Sequence, residues 1–157
     1  MKKILITLII MSIVGLSAYA DEKQEALDFF NNYVEGANSY SSDIVNMYSP
    51  SAKIIRQIVK PDGTTANATT DTATYIKQMK IGQAGAKLRN YKNSYTNIVV
   101  EPFDDGYKVS SLRQPSGESY KLKTYMIVKK QPNGKWLIVE EMMQTKVQSL
   151  LRYVDKN

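Results

Sequence analysis

Across residues 22–36 the apolar positions recur at a helical period. Leu27, Phe30, Val34 and Ala37 make one stripe, and Phe29 and Tyr33 widen it. Glu22 and Glu25 lie in the first turn, where carboxylates complement the helix dipole. Ser41 or Ser42 is placed to cap a short second helix through Tyr48, which Pro50 stops. The period then falls to two in AKIIRQIV, a strand with Ala52, Ile54, Arg56 and Ile58 on one face. Pro61-Asp62-Gly63 signals a turn, and the polar run TTANATTD that follows reads as a loop. Thr70 or Asp71 caps a third helix through Ile81 that turns Tyr75, Ile76 and Met79 inward. Gly82 and Gly85 argue against its continuation towards Arg89.

From Tyr91 onward the pattern is a meander. Four β-rich runs, residues 94–102, 107–114, 119–130 and 135–145, are separated by Asp104-Asp105-Gly106, Pro115-Ser116-Gly117 and Pro132-Asn133-Gly134. Consecutive hairpins make antiparallel pairing the default. Val147, Leu150, Leu151 and Val154 then read as an amphipathic C-terminal helix folded onto the body. Helices first and strands second argue for an α+β fold rather than alternating βαβ units. No repeat and no linker rich in Pro, Gly or Ser divides the chain, so residues 21–157 read as a single domain.

The first twenty residues carry a different signal. Lys2 and Lys3 precede an apolar stretch from Ile4 to Leu16, and Ala18-Tyr19-Ala20 puts small residues at both positions that signal peptidase reads. The stretch is shorter than the about 20 apolar residues that a spanning helix wants. Cleavage after Ala20 and a periplasmic or secreted protein are therefore expected, with no transmembrane segment left after cleavage.

Composition narrows the chemistry. The chain has no cysteine, which excludes disulfides, thiolate metal sites and a cysteine nucleophile. It has no histidine, which removes the commonest metal ligand and the commonest acid or base near neutral pH. No metal or other cofactor is implied. The net charge is +6, or +4 once Lys2 and Lys3 are lost. Such a balance suits weak association with an anionic envelope surface, although lysines that merely solvate a sheet face explain it as well. No basic run is interleaved with stacking aromatics, so no nucleic acid is expected.

Three segments, ALDFFNNYVEGAN, MYSPSAKIIRQIVKPDG and GKWLIVEEMMQT, occur in the order early helix, short helix with first strand and turn, and closing strand. In that order they resemble the nuclear transport factor two-like superfamily, the cystatin-like cone shared by ketosteroid isomerases and polyketide cyclases. The resemblance implies a curved antiparallel sheet wrapped on the N-terminal helix, enclosing a conical pocket. It also implies that the positions four and six after Trp136, here Glu140 and Met142, face that pocket. Strict alternation agrees, placing Trp136, Ile138, Glu140, Met142 and Gln144 on one face.

A carboxylate in an apolar cone could move a proton beside a carbonyl, with a tyrosine donating to the enolate, so Glu140 is the candidate catalytic residue. The alternatives are a structural ion pair between Glu140 and Arg56, or Glu140 pointing outward and Glu141 inward. Tyr33, Tyr48 and Tyr95, with Arg56, Glu140 and Met142, are the candidate ligand-binding residues, and Tyr40, Tyr75 and Tyr125 are further candidates for the wall. A half-buried tyrosine with a wet hydroxyl is the ordinary alternative for each, and Met126, Met142 and Met143 also serve as core filler.

The leading expectation is a non-enzymatic binding or interaction domain whose partner is a small apolar molecule or an envelope protein. The second is a histidine-free isomerase using Glu140 with a tyrosine or Arg56. The third is a structural subunit docking through a sheet face or the C-terminal helix, and a homodimer is compatible with each. Export gives the most direct test: N-terminal sequencing of the protein from an envelope fraction should begin at Asp21, and a protein still starting at Met1 there contradicts it.

Overall fold

The computed structural model describes residues 2–155, with side chains from residue 18, so the side chains of the apolar stretch read as an export signal lie outside the described residues. Helix α1 runs Lys2–Asn38, so the helix expected over residues 22–36 is the C-terminal part of a longer one. Among the described residues, no helix is long and apolar enough to cross a membrane. The side of α1 that packs on the sheet carries Ala26, Phe30 and Tyr33, all buried, with Leu27, Phe29 and Val34 packed beside them. A 3-10 turn, Ser42–Met47, follows, capped by the Ser41 hydroxyl, which accepts from the Asp43 N–H. Gly36 lets that turn approach α1 closely, since a Cβ there would stand 2.7 Å from Ile44 Cγ2.

Six strands form one mixed sheet in the order β2-β1-β6-β5-β4-β3. They are β1 Tyr48–Val59, β2 Thr65–Asp71, β3 Asn93–Phe103, β4 Gly106–Pro115, β5 Leu122–Lys130 and β6 Trp136–Thr145. The four meander runs are antiparallel neighbours as the hairpin signals predict. The sheet is not wholly antiparallel, because β1 lies parallel to β6 across the middle. The run TTANATTD is not a loop either. Its threonines form edge strand β2, antiparallel to β1; exposed edge positions take β-branched polar residues readily.

Helix α2, Thr72–Leu88, is capped by Asp71, whose carboxylate accepts the Thr74 N–H at 2.8 Å. It passes through Gly82 and Gly85 instead of stopping at Ile81. Gln83 and Ala86 in this second half face a cavity, and tertiary contact of that kind overrides a weak local preference. The C-terminal segment is a 3-10 turn, Gln148–Tyr153, not an amphipathic α-helix, and Val147 and Leu151 stay exposed. Its course is set by Asp155. That residue donates its N–H to the Asn67 carbonyl at 3.0 Å, and its carboxylate accepts from the Thr69 N–H and hydroxyl at 3.1 and 2.6 Å. The segment thus covers the free edge of β2 with hydrogen bonds an incoming strand would otherwise use.

Register shifts bend the sheet in three places: between Tyr48 and Lys53 in β1, between Thr96 and Val99 in β3, and where β5 meets β6. At the last, Ile127 pairs with Glu140 while the next residue, Val128, pairs with Ile138, leaving Val139 as a bulge. One inserted residue reverses the facing of everything after it.

Candidate functional site

The Val139 bulge decides which glutamate enters the interior. Before it, Trp136 and Ile138 face α1, as alternation requires. After it, Glu141 and Met143 take that face, and Glu140 and Met142 turn to the other side of the sheet, correcting the inward placement of both. Glu140 accepts a hydrogen bond from Tyr125 at 2.6 Å, and Lys108 stands over the same ring at 4.4 Å. Burial pushes the Tyr125 phenol above the ordinary range, and Glu140 adds to the push. Met142 is buried beside Ile55 and Tyr125, its cross-strand neighbours. Neither residue is part of the interior site.

Glu141 is fully buried and gathers three donors. Arg56 Nη1 donates to Oε1 at 2.9 Å, while the Tyr33 hydroxyl donates to Oε2 at 3.3 Å and the Tyr48 hydroxyl makes a short bond to the same oxygen. The two tyrosine hydroxyls are themselves 3.2 Å apart. The Arg56 guanidinium also lies 4.8 Å over the ring of Tyr75, which meets Tyr48 edge-on. The expected arginine–glutamate pair therefore exists, with Glu141 as the partner of Arg56. Burial drives the phenols of Tyr33 and Tyr48 well above their usual range, and the Glu141 charge adds to the rise. Tyr75 shifts the same way for the same causes, opposed by Arg56. Burial disfavours the Arg56 charge, but Tyr75 and Glu141 outweigh it and hold the guanidinium above its ordinary value.

In front of this network lies a cavity of about 230 Å³. Its sheet side is made by Asn93 and Tyr95 of β3 and Met143 of β6, and α1 contributes Tyr33 and Ala37. Ile44 and Val45 close it from the 3-10 turn, Tyr40 from the loop before that turn, and Tyr75, Met79, Lys80, Gln83 and Ala86 from α2. Of the residues proposed from sequence, Tyr33, Tyr95, Tyr40 and Tyr75 line this space. Tyr48 and Arg56 sit behind its wall. Sequence reasoning missed the α2 residues beyond Ile81 because the two glycines masked the helix, and missed Asn93 because nothing apolar marks it.

Asn93 is fixed from two sides. Its backbone carbonyl accepts from Asn38 Nδ2 and its backbone N–H donates to Asn38 Oδ1 at the end of α1, both at 2.9 Å, and its own Oδ1 accepts from Arg113 Nη1 at 2.9 Å. Tyr95 packs edge-on against Phe30 with ring centroids 5.5 Å apart. Among the described residues, no cluster of His, Cys, Asp or Glu that could hold a metal ion occurs.

Solved structures share this architecture. An NTF2-like protein of unknown function from Pseudomonas putida KT2440 superposes with a TM-score of 0.63 at 12% identity, over 80% of this chain and 87% of that one. The chain has the NTF2-like fold. An NTF2-like protein with a cystatin-like fold from Novosphingobium aromaticivorans matches at TM-score 0.60 and 11% identity, over 88% and 91% of the two chains. A proposed ketosteroid isomerase from Shewanella frigidimarina matches at 0.54 and 14%, over 74% and 91%. No protein-family model and no curated protein sequence matches the chain. At these identities the shared property is the fold, and function has to be argued from the site.

Two predictions follow from the network. Glu141→Ala strands the Arg56 guanidinium and should cost about 3–5 kcal/mol in urea unfolding. Glu140→Ala removes one partly exposed hydrogen bond and should cost about 0.5–1.5 kcal/mol; equal costs would contradict the assignment. The second concerns alkali. An unfolded tyrosine ionises near pH 10, whereas Tyr33 and Tyr48 resist ionisation in the fold, so their stabilising contribution is complete below that pH and lost as pH rises beyond it. Absorbance at 295 nm should therefore show late phenols released together with the loss of far-UV circular dichroism. Titration of every tyrosine near pH 10 with the fold intact would be the contrary result.

Proposed function

We propose that this NTF2-like chain is an exported, non-enzymatic binding protein that takes a small apolar molecule into the cavity between α1, α2 and β3. The observation that carries the proposal is the division of labour within the interior. The carboxylate lies behind the wall with its oxygens engaged by Tyr33, Tyr48 and Arg56, while the residues facing the cavity are mostly aromatic rings, aliphatic side chains and methionines, with Lys80, Gln83 and Asn93 as the polar exceptions. Pockets that hold small molecules have this character, mostly apolar with a few placed polar groups. The two methionines, Met79 and Met143, give the wall an adaptable surface.

Isomerase chemistry is the weaker reading. Proton transfer at carbon needs a base within hydrogen-bond reach of the substrate, and among the described residues no carboxylate lines the cavity. Glu140, the sequence candidate for that base, is on the opposite face with Tyr125. The volume also favours a molecule of monocyclic or small bicyclic size, because drug-sized ligands occupy about 300–1,000 Å³.

The test is to purify the exported protein without denaturation and identify by mass spectrometry what an organic extract releases. An apolar molecule at near-stoichiometric amount is expected from the native chain. It should be lost from Ala86→Phe, which fills the cavity from α2, while far-UV circular dichroism is unchanged. An empty extract, together with no binding of small aromatic probes by calorimetry, would overturn the proposal.

A further inference from the structure

Two arginines point into the interior, and they are treated differently. Arg56 has Glu141. Arg113, on the inward face of β4 in line with Tyr107 and Val109, is 8% exposed and has no carboxylate. Among the described residues, the ion pairs engage Arg56, Lys129 and Lys130 only. The guanidinium of Arg113 meets neutral acceptors instead, Asn93 Oδ1 at 2.9 Å and the Gln144 carbonyl at 2.8 Å, and its buried Nε has no protein partner. The hydroxyl of Ser111, two residues back on the same face, is the other buried side-chain atom left without a partner among the described residues. A buried charge satisfied by dipoles alone is costly, and the two orphaned groups belong to residues two apart on the inward face of β4.

Arg113 borders the cavity through its neighbours. Tyr95 is the cross-strand partner of Arg113, and Asn93 is hydrogen-bonded to it; both line the cavity. Because Arg113 occupies Oδ1 of Asn93, the group that Asn93 has left to offer is its amide N–H. Tyr95 carries a further hydroxyl, and among the described residues Lys80 supplies the only formal charge on the wall, a positive one. Gln83 spends one amide N–H on the Tyr40 carbonyl and keeps a second N–H and its Oε1. Donors and positive charge dominate a space that is otherwise apolar.

We propose, resting on the cavity-binding reading above, that the ligand is an apolar monocarboxylic acid whose carboxylate lodges between Asn93 and Tyr95, held there by the uncompensated charge of Arg113. Arg113 is a positioning residue: it acts through the Asn93 amide it orients and through its field, while the apolar body of the acid lies against Met79, Ala86 and Met143.

The test pairs acids with their neutral amides: benzoate with benzamide, 2-naphthoate with 2-naphthamide, and octanoate with octanamide, by calorimetry at pH 7.5. At least one acid should bind roughly tenfold or more tighter than its amide, the scale of one charge-assisted hydrogen bond. Arg113→Gln should bring acid and amide to parity, and Arg113→Lys should restore the preference, which a purely structural role would not do. Should both variants fail to fold, Asn93→Leu with Lys80→Gln provides the second reading: the first should lose the preference and the second should keep most of it. Amides binding as well as acids would overturn this inference and leave the cavity reading standing. If no acid binds, the inference falls, and the cavity reading falls with it only if the native extract is empty too.

Discussion

Glu141 is a carboxylate with no access to solvent, and the fold is arranged around the requirement that its charge be answered. The three donors come from different parts of the chain: Tyr33 from α1, and Tyr48 and Arg56 from opposite ends of β1. Leaving any of them out would strand a buried acceptor or a buried cation, each far more costly than an unmade surface contact. The network therefore fixes the position of α1 on the sheet and the register of β1 beside β6. That β1–β6 pair is the single parallel ladder in an otherwise antiparallel sheet, and it joins strands distant in the chain. Hydrophobic packing of Phe30, Ile54 and Ile138 supplies attraction without direction, whereas the hydrogen bonds to one carboxylate supply direction.

The same arrangement shapes what the interior can do. Tyr33 turns its hydroxyl back to Glu141 and leaves ring surface in the cavity, and Tyr48 lies wholly behind the wall. Polar atoms spent on the network are withdrawn from any visiting molecule. Three of the roughly four acceptor sites of the carboxylate are taken, and the group is separated from the cavity by the rings of its own partners. The Asn93–Tyr95 end escapes that closure, because the hydrogen bonds of Asn93 run to Arg113 and Asn38 and not to the carboxylate.

Much of the architecture was legible in the sequence because each meander turn carries its own chemistry. Asp104-Asp105-Gly106 and Pro132-Asn133-Gly134 announce hairpins whatever surrounds them, and Asp71 caps α2 where the sequence places a cap. Less legible were elements whose identity depends on a distant partner. Strand β2 is polar because it is an edge, and α2 continues past its glycines because Gln83 and Ala86 have a cavity to face. The C-terminal segment is held by Asp155 to a strand more than eighty residues earlier (|i−j| = 86), which no local period reports.

The candidate site failed by one residue, and the reason lies in the composition of β6. In Trp-Leu-Ile-Val-Glu-Glu-Met-Met, residues 136–143, the bulge at Val139 is marked by neither glycine nor proline. Across the doubled Glu140-Glu141 and Met142-Met143, either register puts one glutamate and one methionine inside and the same pair outside. Periodicity cannot choose between two solutions of identical polarity. The pairing with both neighbours chooses: the bulge against β5 turns Glu141 inward, and β1 sets Ile54 opposite it, two residues from Arg56. The kind of residue that enters the interior was thus encoded locally, while its number was decided by a bulge that exists only in the paired sheet.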